Sequence, residues 1–104
     1  MNFEEIMEMP VNTASYCFID VETTGLSPVE NSVIEIGAVK VAGLRVGAKY
    51  STFVNPGRDV PYFITQLTGI TNSDVADAPF FDEIADNLKN FVGDTIIGGH
   101  NFSF

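Results

Sequence analysis

Phe18-Ile19-Asp20-Val21-Glu22-Thr23-Thr24-Gly25-Leu26 is the stretch whose reading decides the fold. An apolar run leads into two carboxylates two residues apart, and a Thr-Thr-Gly turn follows at once. Residues i and i+2 of a strand point to one face, with their Cα atoms roughly 6.6 Å apart. Asp20 and Glu22 are therefore expected to converge on one side, while Ile19 and Val21 anchor the other side in a core. Carboxylate pairs of this kind hold Mg²⁺ or Mn²⁺ beside a phosphate. A lone Asp-x-Glu is often a polar strand end among surface acids. The uncharged run before this pair and the tight turn after it favour a metal site.

Working outward, Ser15 to Val21 reads as a central strand, apolar on both faces. Gly25 to Ser32 is a loop with Pro28 and Asn31 as turn formers. Val33 to Ala42 is a second strand and Ala48 to Val54 a third, with Gly43 to Gly47 as their hairpin connection. Pro61 to Leu67 is a short helix with Pro61 in its first turn. Thr68 to Thr71 is a turn, and Thr71 caps a helical piece through Asp74-Val75. Pro79 to Val92 is the clearest helix: Phe81, Ile84, Ala85, Leu88, Phe91 and Val92 recur at helical spacing and read as core. Asp82 and Glu83 suit its start, Lys89 its later turns and Gly93 its stop. Thr95 to Gly99 reads as a fourth strand.

Asp20-Val21-Glu22-Thr23-Thr24-Gly25-Leu26 resembles the first motif of the DEDD (DnaQ-like) 3′→5′ exonucleases. The nearest likeness is to the proofreading exonucleases of bacterial DNA polymerases, such as the epsilon subunit of DNA polymerase III. The resemblance continues through Val33-Ile34-Glu35-Ile36-Gly37-Ala38-Val39, Leu67-Thr68-Gly69-Ile70-Thr71 and Gly99-His100-Asn101-Phe102-Ser103-Phe104. It covers residues 15 to 104, and four segments in the right order are far more specific than one. It implies an α/β ribonuclease-H-like fold: three antiparallel strands, a helix, and a fourth strand parallel to the first, with the C-terminal half missing. Residues 1–14 would then be a helical or frayed leader, and 15–104 the N-terminal part of an exonuclease domain.

In that family four acids bind two divalent ions, Mg²⁺ or Mn²⁺, that activate a water and stabilise the leaving 3′ oxygen. Asp20 and Glu22 match the first two acids, as catalytic residues and metal ligands. Thr23, Thr24, Gly25 and Leu26 match the turn that meets the terminal nucleotide, Leu26 as an apolar wedge or an ordinary loop anchor. Thr68 is a weak substrate contact. Asn101 opens a motif of the form Asn-x-x-Phe-Asp, and the sequence stops where the Asp belongs. The fourth acid and the general base lie further on in the family, and His100 is not that base. The implied substrate is the 3′ end of single-stranded DNA, with RNA open. The implied partner is a DNA polymerase subunit and the location cytoplasmic. The parent is read as the exonuclease, and these 104 residues as an inactive fragment that self-associates through the open edge and face beside Ile96 and Ile97. Glu35 is either a neighbour of the metal site or a locally paired strand acid, and Lys49 and Arg58 are surface charges by default.

Bulk properties set the alternatives. One domain fits 104 residues. A single cysteine, Cys17, excludes an internal disulfide and reads as a buried, inert thiol. A net charge of −9 is the wrong sign for a basic nucleic-acid patch. Bound cations invert the local field, so a metal-dependent nuclease survives this objection. No window is long and apolar enough for a membrane span, and the acidic N-terminus is no signal peptide. The competing reading is a non-catalytic polymerase- or nucleic-acid-binding module on the same fold, for which two converging acids serve no purpose. A structural cation site explains the carboxylates but not the Thr-Thr-Gly turn.

Overall fold

The computed structural model describes residues 14–25, 27 and 30–99. Strands β1 (Ser15–Thr23), β2 (Val33–Ala42) and β3 (Arg45–Phe53) come first. Helices α1 (Tyr62–Thr68), α2 (Asn72–Ala76) and α3 (Phe81–Val92) follow, and β4 is Ile96–Gly99. Residues 1–13 of the leader, Leu26, Pro28, His100 and Asn101 lie outside the described residues.

The sheet order is β3-β2-β1-β4. β2 is antiparallel to both β1 and β3, and β4 is parallel to β1. This is the ribonuclease-H-like arrangement expected from the sequence. Alternation explains it: Cys17 and Val21 of β1 and Ile34, Ile36 and Ala38 of β2 are buried, while Asp20 is exposed and Glu22 and Glu35 are half-buried. Val21, Ile36 and Val54 pack with Ile84 of α3, flanked by Ile19, Val33 and Leu88. A second cluster joins Ile34 to Val60, Ile64, Ile70 and Val75 under α1 and α2. Cys17 is fully buried, and burial pushes its thiol above the ordinary value, against the smaller opposing pulls of Lys40 and a Thr95 hydrogen bond.

Besides shifts of a single residue at other ends, three boundaries depart from expectation, each for a local reason. β1 runs on to Thr23 because Glu22 still pairs with Glu35 and Thr23 with Val33. The hairpin turn is only Gly43-Leu44, not Gly43 to Gly47. Both residues take positive φ, 56° and 66°, as the two-residue turn that matches strand twist requires. β3 therefore begins at Arg45 rather than Ala48. α3 begins at Phe81, not Pro79, because Pro79 and Phe80 are held extended: Asn55 N–H donates to Pro79 O at 2.8 Å, and Phe80 bridges Asn55. Phe81, expected in the core, is 47% exposed. Phe91 packs on Tyr50 with ring centroids 5.7 Å apart, under the Lys40 ammonium.

The helix ends follow their sequence signals. Pro61 is the residue before α1 rather than in its first turn, and Gly69 closes that helix at φ 81°. Thr71 caps α2 reciprocally with Asp74, as expected. Glu83 accepts from the Phe80 N–H at the start of α3 and Gly93 ends it. In β4, Ile96 and Ile97 are about half exposed, as read from the sequence.

Candidate active site

The β1 ladder settles where the two acids point. Asp20 pairs with Gly37 and Glu22 with Glu35, while Val21 pairs with Ile36 on the buried side. Paired residues of an antiparallel ladder share a face, so Asp20 and Glu22 stand together on the face opposite α3. Asp20 is exposed and Glu22 half-buried. On the other side, Phe18 pairs with Gly98 and Ile19 with Gly99 in the parallel ladder. Gly99 of β4 therefore lies beside Ile19, next to Asp20, and the carboxyl edge of an open α/β sheet is where ligands are bound.

Gly99 is what lets the two strands approach here. Its φ is 149°, and a Cβ there would run into the carbonyl oxygen of Ile19 and stand 2.9 Å from the Ile19 nitrogen. Only glycine fits this backbone and this approach. On the β2 side the register slips between Glu22 and Thr23, leaving Ile34 as the extra residue. Such bulges bend a strand and re-aim its side chains, and they occur beside active sites. Ile34 is fully buried and its carbonyl accepts from Val54 N–H at 2.8 Å, so the bulge is pinned in place.

The turn after β1 is held by Thr24. Its N–H donates to Ser32 O at 2.8 Å, and its hydroxyl accepts from Ser32 N–H at 3.0 Å. The same hydroxyl donates to Asn31 Oδ1 at 3.1 Å, and the residue is 2% exposed. Both the amide and the side chain of Thr24 are thus committed inside the protein. The Thr23 hydroxyl donates to Gly25 O. A Cβ on Gly25 would come within 2.7 Å of Asn31 Oδ1. Arg58, read as a surface charge, donates to Glu30 O at 2.5 Å and ties this loop to the segment after β3. The inward turn of Thr24 carried no sequence signal of its own, since a Thr-Thr pair does not show which hydroxyl faces the core.

Thr68 is also engaged locally. Its hydroxyl donates to Ile64 O at 2.8 Å and accepts from Ile70 N–H at 3.1 Å, closing the end of α1. Leu26 and Asn101 lie outside the described residues. The structure therefore brings Asp20, Glu22, Thr23 and Gly25 together at the end of β1. It gives the Thr24 and Thr68 hydroxyls structural partners. A shallow concavity of about 490 Å³ covers this side of the sheet, lined in part by Phe18, Asp20, Gly37, Lys49 and Ser51. A Cβ on Gly37 would meet nothing within 4 Å, so the floor beside Asp20 is open.

The donor set fits a hard divalent cation: carboxylate oxygens from one strand face, accessible to solvent and next to open space. Asp20 and Glu22 are the residues that would hold it. Among the described residues there is no group of three or more metal-ligating side chains, so the pair alone is an incomplete cage.

Comparison with known proteins places these features. The RNase_T family model, described as exonuclease, matches residues 17–104. The chain is 42% identical over 99 residues to the PolC-type DNA polymerase III of Latilactobacillus sakei subsp. sakei (strain 23K), covering 95% of this chain and 7% of that protein. It is 42% identical over 90 residues to the PolC-type DNA polymerase III of Bacillus subtilis (strain 168), covering 86% of this chain and 6% of that protein. The chain thus spans under a tenth of the length of these relatives. Among solved structures it is similar to exonuclease X in complex with 5′ overhanging duplex DNA. That likeness has a TM-score of 0.69 at 30% identity and covers 86% of this chain and 50% of the other. A product-bound exonuclease I, at TM-score 0.74 and 21% identity over 86% of this chain and 22% of its own, shares the fold.

Proposed function

The chain belongs to the RNase_T exonuclease family, and from that premise we propose that residues 15–104 form the N-terminal part of a metal-dependent 3′→5′ exonuclease domain acting on DNA. The observation that carries this reading is the ladder that sets Asp20 and Glu22 on one accessible face of β1, just beyond the Ile19–Gly99 pair with β4. Two divalent ions, Mg²⁺ or Mn²⁺, in the complete site would supply water activation and stabilisation of the leaving 3′ oxygen. Asp20 and Glu22 give them oxygen ligands and fix their place against the turn. At Gly25 a side chain would collide with the Asn31 carboxamide, so glycine keeps the turn in the shape that would meet a nucleotide. Thr23, Leu26 and Asn101 complete the contact with the terminal residue. Thr24 and Thr68 serve it indirectly, by holding the turn and the end of α1 in shape.

The similarity to PolC-type polymerases supports a proofreading role within, or bound to, a cytoplasmic replicative polymerase. No described helix is long and apolar enough to cross a membrane. By themselves Asp20 and Glu22 would hold one ion loosely. The 104-residue chain self-associates in this reading: among the described residues β4 pairs only with β1, and Ile96 and Ile97 are half exposed along it. Light scattering at micromolar concentration reads this directly, and a clean monomer mass overturns it.

The function is tested on the full-length protein with single-stranded DNA labelled at one end or the other. With Mn²⁺, the 3′ label is expected to leave first, as a mononucleotide, and EDTA to stop its release. Internal cutting, or release that ignores EDTA, contradicts the proposal. Parallel reactions on RNA read the sugar preference.

A further inference from the structure

Glu35 lies one strand away from the acid pair, in register with it. It is the direct ladder partner of Glu22 and shares its face with Asp20. Carboxylates directly opposite one another in an antiparallel pair stand about 4.5–5.5 Å apart at Cβ and repel. The ladder partner of Glu35 on its other side is Phe53, which offers no charge. Glu35 is half-buried, and among the described residues its carboxylate accepts no hydrogen bond and meets no Lys or Arg. Next along the same face of β2 is Gly37, above which the space is open. The bulge at Ile34 fixes Glu35 opposite Glu22, since β2 leaves the simple register immediately after that pair.

We infer that Glu35 is a positioning residue of the metal site: its carboxylate accepts hydrogen bonds from the water shell of an ion held by Asp20 and Glu22. It is not a third ligand, because the described acids do not close into a three-ligand group. It acts through water, as the outer partners of metal ligands commonly do. The inference rests on the metal reading of Asp20 and Glu22, and its test separates the two.

Mn²⁺ is titrated into the metal-free full-length protein and the free ion counted by electron paramagnetic resonance, for wild type, Asp20→Ala, Glu35→Ala and Glu35→Gln. The ion lost in Asp20→Ala defines the site. Both Glu35 variants are expected to bind that ion about tenfold more weakly. Their metal-free thermal midpoints are expected to equal or exceed the wild type, because a repulsion has been removed. If they bind the ion as wild type does while Asp20→Ala does not, the role of Glu35 is overturned and the metal site stands. If Asp20→Ala binds as wild type does, the metal site itself fails. Should Glu35→Ala unfold, the isosteric Gln variant decides: unchanged affinity overturns the inference, and weakened affinity upholds it.

Discussion

Replacing Thr24 by Val removes one buried hydroxyl and leaves the shape almost unchanged. In the structure that hydroxyl accepts from Ser32 N–H at 3.0 Å and donates to Asn31 Oδ1 at 3.1 Å, in a residue that is 2% exposed. Each such hydrogen bond contributes about 1 kcal/mol net, and a partner left unsatisfied in the interior costs more. Asn31 and Ser32 are only half-buried, so water partly replaces the lost partner. The expected destabilisation is therefore about 1–2 kcal/mol. With a urea m-value of about 1.5 kcal/mol/M, the unfolding midpoint falls by about 1 M. Urea titration followed by circular dichroism measures this, and KM for single-stranded DNA is read on the same variant well below the transition. KM should stay close to wild type, because the hydroxyl faces the loop. An unchanged midpoint together with a raised KM would refute the reasoning and return Thr24 to the nucleotide.

Other perturbations follow from single residues. Leu44→Gly relieves a non-glycine residue held at φ 66° and should raise stability by roughly 1 kcal/mol; a loss in thermal midpoint contradicts the two-residue turn. Gly99→Ala meets both a glycine-only φ and the Ile19 backbone, a strain of order 1–3 kcal/mol before the clash is counted. It should separate β4 from β1, seen as faster amide exchange along β4, and wild-type exchange there would sink this claim. Cys17 titrates above its ordinary value because it is buried. The folded state therefore holds the proton longer than the unfolded chain does. That contribution is complete below the unfolded thiol value of about 8.5 and is lost as pH rises through the folded one. Urea midpoints should therefore fall between pH 8 and pH 10 more steeply for wild type than for Cys17→Ala, and parallel slopes contradict it.

Much of the sheet was legible because alternation is a local signal. Val33–Ala42 was read as β2 with its observed ends, and alternation placed Asp20 and Glu22 on one face. The hairpin was not legible. Its turn depends on a positive φ at Leu44, which leucine rarely adopts, so Gly47 drew the expected loop too far. Phe81 fitted the helical stripe, yet it sits in the first turn, where the edge of the core leaves it half exposed. The site was half legible. Spacing along one strand revealed the acid pair, whereas the opposition of Glu35 to Glu22 needs the register between strands, which a bulge at Ile34 helps to set. The inward turn of Thr24 likewise depends on Asn31 and Ser32, seven and eight residues away.

The most direct measurement is the rate of nucleotide release from the 3′ end of single-stranded DNA by the full-length protein in Mn²⁺, with Asp20→Ala and Glu22→Ala beside wild type. Losing a ligand of an ion that stabilises the transition state by several kcal/mol should lower that rate by about 10³-fold or more, with the thermal midpoint preserved because both side chains lie on the accessible face. Folded variants that release nucleotides at the wild-type rate would contradict the account.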